Sequence, residues 1–157
     1  MSKTTRATQM LEKAGVAFAT VTYEYDPNAD RIGMQAAEAI GEEPRRVLKT
    51  LMAEVDGKAV CVVVPSDHEV SMKKLAAAFG GKSASMMKPA DAERAAGYHV
   101  GGISPFGQKK LVPTVIEITA LDEPHVFING GQRGLQVRLD PKAARDALKA
   151  VAAPLVA

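Results

Sequence analysis

Lys49 is the first residue in this chain from which chemistry can be argued. Side chains alternate faces along a strand, and in VLKTLMAEV (47–55) Lys49 shares its parity with Val47, Leu51, Ala53 and Val55. A lysine on so apolar a face either snorkels to an edge or stands as a cation at the rim of a cavity. Tyr23 repeats the pattern, in step with Ala19, Val21 and Tyr25. Its ring either fills core with a satisfied hydroxyl or adds a polar spot to the same cavity. A tyrosine and a lysine projecting inward from neighbouring elements would make a selective small-ligand pocket. The third part is GYHVGGISPFGQKK (97–110), where Gly101 and Gly102 allow backbone N–H groups to approach a ligand and Pro105 stiffens the turn. Amides exposed in this way bind a carbonyl oxygen or a developing oxyanion. The plainer reading is a tight connector between strands.

Other chemistries find little support. The three histidines are His68, His99 and His125, and none is spaced as a metal pair with another ligand. His68 in SDHE and His125 after Pro124 read as solvated, whereas His99 borders the glycine loop. Ser104 has no nucleophile elbow around it. Cys61 lies in the apolar run AVCVVV and reads as a small core residue. Neither a GxGxxG fingerprint nor a Walker loop is present. The expectation is an enzyme without a conventional protein nucleophile, and with no metal or cofactor.

The elements that must position these residues follow from punctuation and periodicity. The 157 residues suit one domain, with 46% hydrophobic and 24% charged residues. A net charge of +2 is too small to announce nucleic acid or exclude it, and one cysteine excludes an internal disulfide. No apolar run approaches a membrane span and MSKTTRATQMLEK lacks a signal-peptide core, so a cytoplasmic protein is expected. A helix is predicted over TTRATQMLEKAG, a strand over VAFATVTYEYD, a loop over 27–33 and a short helix over MQAAEAIG. VLKTLMAEV and KAVCVVVP flank Asp56-Gly57, a strong hairpin signal. Helices follow over SMKKLAAAFGG, capped by Ser71, and KPADAERAAG. PTVIEITA, PHVFING and LQVRLD read as strands, and Asp140 caps a last helix over PKAARDALKAVAA. Hairpins without strict β-α-β alternation predict a single α/β domain with a mixed, largely antiparallel, barrel-like sheet surrounded by helices.

The succession VTYEYDP, RRVLKTL, GYHVGGISPFGQKK and FINGGQRGLQVRL resembles the YbaK/EbsC-type prolyl-tRNA editing family, which also includes the domain inserted in bacterial prolyl-tRNA synthetases. The resemblance covers nearly the whole chain, 1–157, as one editing domain. It implies that Lys49 is the family's essential lysine, with Thr50 following it, and that Tyr23 is the pocket tyrosine. Ile32 falls where relatives often carry a phenylalanine facing substrate. Gly101, with Gly102, Ile103 and Ser104, matches the loop around the aminoacyl carbonyl. Asn129 stands where close relatives often carry serine, and Gln136 where some carry aspartate. Both remain polar enough to hold an amino group, but their hydrogen-bond roles differ.

The implied activity is trans-editing, the removal of cysteine from mischarged Cys-tRNA(Pro), with Cys-tRNA(Cys) as a further substrate. The substrate's own thiol would attack its carbonyl. Two alternatives stand beside it: deacylation of another amino acid, such as alanine on tRNA(Pro), and a non-catalytic module for a small ligand or a synthetase. The implied partners are the acceptor end of aminoacyl-tRNA and prolyl-tRNA synthetase. Arg45, Arg46, Lys73, Lys74, Lys109, Lys110 and Arg133 are the cations available to ring the pocket mouth.

Overall fold

The computed structural model describes residues 4–28 and 32–157, without the side chains of Ile32 and Gly33. Helix α1 (Arg6–Lys13) starts where the Thr5 side chain accepts the Thr8 N–H in a reciprocal capping box, and it buries Ala7 and Leu11 one turn apart. Strand β1 is confined to Ala19–Thr22, shorter than the predicted 16–26, because it pairs with the five-residue β7 (Leu135–Leu139) over four positions only. Helix α2 (Ile32–Ile40) leads through a 3-10 turn at Pro44–Arg46 into the central hairpin, β2 (Val47–Val55) and β3 (Lys58–Pro65). Asp56 and Gly57 sit at φ 50° and 80°, the paired positive values that a type I′ turn demands.

Ser71 caps α3 (Met72–Ala78), and α4 (Pro89–Ala96) ends at Gly97 in the left-handed region. Between them lies β4 (Ala84–Met86), a strand that sequence alone did not predict. β5 (Thr114–Glu117) passes into a 3-10 turn at Ile118–Asp122, and β6 (Val126–Asn129) precedes β7. Asp140 accepts the Lys142 and Ala143 N–H groups at the start of α5 (Pro141–Leu148). The last helix was expected to run to Ala153. It stops at Lys149 (φ 53°), and Val151–Ala153 form β8, parallel to β5.

Eight strands join one mixed sheet in the order β1-β7-β6-β2-β3-β5-β8, with β4 also on β2. The β2·β6, β3·β5 and β5·β8 pairs are parallel and the rest antiparallel, and the path does not close on itself. Both faces are covered. Leu48, Met52, Cys61, Val63, Ile116 and Ile128 pack in one cluster with α1 and the residues after α4. On the opposite face Val47 and Phe127 lie under Ala36 and Ala37 of α2, while Ala53, Val62 and Val115 lie under Leu75 and Ala76 of α3. Lys49 and Leu51 share parity with Val47 and Ala53 and fall between the α2 and α3 patches.

Candidate functional site

The site originates in an interruption of the sheet. β3 lines one edge of β2 from Leu48 to Val55. On the other edge β6 reaches only Val47 and Leu48, because Gly130 N–H turns back to the Leu135 carbonyl, and β4 reaches only Ala53–Val55. Lys49–Met52 therefore face no strand on that side, an edge of about 13 Å at the ordinary rise per residue. A cavity of about 310 Å³ occupies the break. Its walls are these β2 residues, Tyr23 and Tyr25 after β1, Asn129 and Gln136 from β6 and β7, Met86 to Pro89, Ala92 of α4, and Val100, Gly101 and Ile103.

Lys49 is half-buried in this wall and has no carboxylate partner among the described residues. Burial pushes the Tyr23 phenol up from its ordinary value, so it stays protonated at neutral pH. Among the described residues no Asp or Glu lines the cavity. Among the described residues two lining atoms, Thr50 Oγ1 and Gln136 Oε1, are buried without a hydrogen-bond partner, although the Gln136 carboxamide lies beside the Tyr23 hydroxyl.

Three side chains, from α4, from β6 and from the turn between β6 and β7, hold the glycine loop against this cavity. Val100 N–H donates to Glu93 Oε2 at 2.8 Å, and the Val100 carbonyl accepts from Arg133 Nε at 2.8 Å. The Gly101 carbonyl accepts from Asn129 Nδ2 at 3.2 Å. The Glu93 carboxyl is held below its usual range chiefly by that Val100 N–H. A Cβ at Gly101 (φ 90°) would lie 2.6 Å from the Tyr25 hydroxyl, and one at Gly102 would lie 2.8 Å from the Arg133 backbone nitrogen. Bare backbone is thus required by close approach on both sides. Arg133, behind the wall, also stacks over the ring of the lining residue Tyr25 at 5.4 Å.

Within this frame the sequence-predicted residues separate. Lys49, Thr50, Tyr23, Gly101, Ile103, Asn129 and Gln136 all line one cavity. Gly102 and Ser104 do not. The Gly102 N–H donates to the His99 carbonyl at 2.8 Å, so it is unavailable to a ligand. Ser104 is fully buried and its Oγ accepts the Phe106 N–H, which folds the loop from within. Asn129 is engaged at both ends of its carboxamide, since its Oδ1 also accepts the Gly131 N–H at 2.6 Å. The side chain of Ile32 lies outside the described residues.

His99 is 86% exposed beside Glu93 and does not line the cavity. Burial pushes the Cys61 thiol up to about 12, as befits a core residue. Among the described residues no group of three His, Cys, Asp or Glu side chains gathers as a metal site, and no helix is long and apolar enough to cross a membrane.

Several cations listed by sequence are otherwise occupied. Arg46 pairs with Glu123 at 2.8 Å and Glu42 at 3.4 Å, Arg45 with Glu43 and Glu123, and Lys74 bonds the Val156 carbonyl. Arg133 alone of that set bonds to a cavity-lining residue. Sequence reasoning missed exposed Lys88, which stands between the lining residues Met87 and Pro89, and it missed Tyr25, whose parity with Tyr23 was an available signal. Nothing in the string MMKP announced Met86 and Met87 as cavity wall.

Comparison with known proteins places this geometry in context. Residues 26–147 match the family model of the aminoacyl-tRNA editing domain. A protein of Enterococcus faecalis, provisionally named Cys-tRNA(Pro)/Cys-tRNA(Cys) deacylase EbsC, is 36% identical over 142 residues, 88% of this chain and 85% of its own. A proline–tRNA ligase of Acidithiobacillus ferrooxidans is 28% identical over 87 residues, 55% of this chain and 15% of the ligase. A crystal structure described provisionally as a trans-editing enzyme for prolyl-tRNA synthetase shares the fold, with a TM-score of 0.81, 23% identity and 99% coverage of both chains.

Proposed function

The chain belongs to the aminoacyl-tRNA editing domain family, and on that premise we propose that it is a trans-editing deacylase that removes cysteine from mischarged Cys-tRNA(Pro). The observation that carries this reading is the sharing of one cavity by Lys49, an ammonium without a carboxylate partner among the described residues, and the clamped backbone at Gly101.

The aminoacyl group enters the break in the sheet with its carbonyl toward Gly101, whose N–H has no protein acceptor among the described residues. The substrate thiol attacks that carbonyl. The S–C bond forms, the bond to the ribose oxygen breaks, and the thiol proton ends on the departing hydroxyl, leaving a four-membered thiolactone that water opens. Charge develops first on the thiolate and then on the carbonyl oxygen. Lys49 stabilises that charge in a site walled by Leu48, Met52, Met87 and Ala92, where a fixed cation acts more strongly than in water. No protein nucleophile is needed, in keeping with the buried, protonated Cys61. Selection against proline follows from its lack of a thiol, a chemical sieve. Arg133 and Lys88 are the cations nearest to hand for the phosphates of the acceptor end, with prolyl-tRNA synthetase supplying the remaining tRNA selectivity as a partner.

The test is deacylation of a panel of aminoacyl-tRNA(Pro) species. Cysteine ester should disappear faster than it does spontaneously, while alanine ester survives, and Lys49→Ala should retain the fold and lower turnover about 100-fold or more. Loss of alanine ester at the rate of cysteine ester would point instead to a hydrolytic editor without thiol assistance. Unchanged turnover in Lys49→Ala would remove Lys49 from the chemistry.

A further inference from the structure

The two tyrosines of the cavity wall lie beyond the end of their strand. β1 stops at Thr22, opposite the first residue of β7, and the last main-chain bond there runs from the Tyr23 N–H to the Gly134 carbonyl at 2.9 Å. Past that point no strand among the described residues flanks the chain. It is caught again at Asp26 by one side chain of α2. Gln35 Oε1 accepts the Asp26 N–H at 2.6 Å, and Gln35 Nε2 donates to the Asp26 carbonyl at 2.8 Å. A carboxamide that answers both main-chain groups of one residue does what an antiparallel neighbour does at a hydrogen-bonded pair. Gln35 is 9% exposed, and its helix is fixed because Ala36 and Ala37 pack on Val47 and Phe127. Tyr25 is strung between these two anchors, with its ring against Gly101. A Cβ on that glycine would lie 2.6 Å from the Tyr25 hydroxyl, 3.0 Å from Cζ and 3.2 Å from Cε1.

We propose that Gln35 is a positioning residue for the editing reaction, acting through Tyr25. This deepens the proposed function and rests on it. Gln35 does not itself line the cavity. It fixes where Asp26 stands, and therefore where the Tyr25 ring stands. Asn129 and Arg133 tether the glycine loop by the carbonyls of Gly101 and Val100, and Tyr25 is the surface that Gly101 rests against. Without Gln35 the segment after Tyr23 is held at one end only, and the backbone that receives the ester carbonyl loses its stop. A glutamine that served stability alone would lower the melting midpoint and leave turnover per folded molecule unchanged.

The experiment is a double-mutant cycle read by single-turnover deacylation of Cys-tRNA(Pro), expressed per folded molecule. Gln35→Met and Tyr25→Ala should each lower the rate constant about 10- to 100-fold. The protein concentration for half-maximal rate should change less than about threefold, because positioning is felt in the chemical step. Together the two substitutions should give the rate of Tyr25→Ala alone to within about threefold, since Gln35 acts through that ring. Gln35→Glu keeps the volume and supplies a rescue. Its carboxylate accepts the Asp26 N–H but cannot donate to the Asp26 carbonyl, whereas its protonated form does both. Its rate relative to the parent's should therefore rise as pH falls, and burial beside the Asp26 carboxylate favours the protonated form. Losses that multiply in the double variant, a Gln35→Met rate within about twofold of the parent's, or a Gln35→Glu ratio that is flat with pH would each overturn the assignment. If Gln35→Met does not fold, the pH dependence of the Gln35→Glu ratio decides. Cysteine ester that survives in the parent protein would sink the functional reading; a parent that cleaves it, with losses that multiply or a flat ratio, would sink this inference alone.

Discussion

Asn129 holds the two loops of the site together through one carboxamide, and removing it should be felt in stability and in turnover at once. Its Nδ2 donates to the Gly101 carbonyl at 3.2 Å and to the Gln132 carbonyl at 3.4 Å, and its Oδ1 accepts from Gly131 at 2.6 Å. The 3.4 Å contact is too long to count for much. Two neutral hydrogen bonds at about 1 kcal/mol each, plus the cost of leaving Gly131 N–H inside a turn without its acceptor, give about 2–3 kcal/mol for Asn129→Ala. In a chain of this size that lowers the melting midpoint by about 4–12 °C. Displacing the Gly101 backbone by a fraction of an ångström to about 1 Å should lower single-turnover deacylation by up to about 100-fold. Asn129→Asp separates the two contacts. It keeps an acceptor for Gly131 and places a carboxylate oxygen against the Gly101 carbonyl, so the turnover loss should persist. Urea unfolding and single-turnover assays on both variants are sufficient. A stability loss under about 0.5 kcal/mol together with turnover within twofold of the parent would refute the role assigned to this residue.

Two further outcomes follow from groups outside the cavity. Glu117 is 1% exposed and has no ion-pair partner among the described residues; burial alone would push its carboxyl up, but the Thr119, Leu155 and Val156 N–H groups outweigh that and hold it below its usual range. The native value lies below the unfolded one, so this stabilisation is complete above the ordinary carboxylate range and is lost as pH falls through the native value. Glu117→Gln should cost about 2 kcal/mol at pH 7 and flatten the acid limb of a stability–pH curve, and an acid limb identical to the parent's would contradict it. Cys61, pushed up to about 12 by burial, should resist alkylation in the native state, and Cys61→Ala should keep deacylation while losing about 1 kcal/mol of stability. Rapid native-state alkylation coupled to lost turnover, read by mass spectrometry and assay, would contradict that placement.

The reach of the sequence in this fold tracks the range of the interactions that decide each element. Asp56-Gly57, Ser71 and Asp140 act within a few residues of themselves, and the hairpin and the two helix starts they specify are where they were expected. Strand β8 was hidden because VAA after a helix reads as more helix; it becomes a strand where β5 offers an edge and Glu117 receives the N–H groups of Leu155 and Val156, 38 and 39 residues further along the chain. Arg45 and Arg46 looked free for phosphate because Glu123, which engages both, lies 78 and 77 residues away. The same distinction divides the site. Strand parity was enough to single out Lys49 and Tyr23, but it put Thr50 on the opposite face, and by parity alone Thr50 and Lys49 should not meet one ligand. They do so because β6 leaves after Leu48 and β4 arrives only at Ala53, and that interval is set by two glycines at 130 and 131 and by a three-residue strand with no signature of its own. A break in a sheet is a relation among three strands, and periodicity describes one strand at a time. The chemistry of this site was therefore legible in residue types, while its shape depends on one edge of β2 having no neighbour strand over Lys49–Met52.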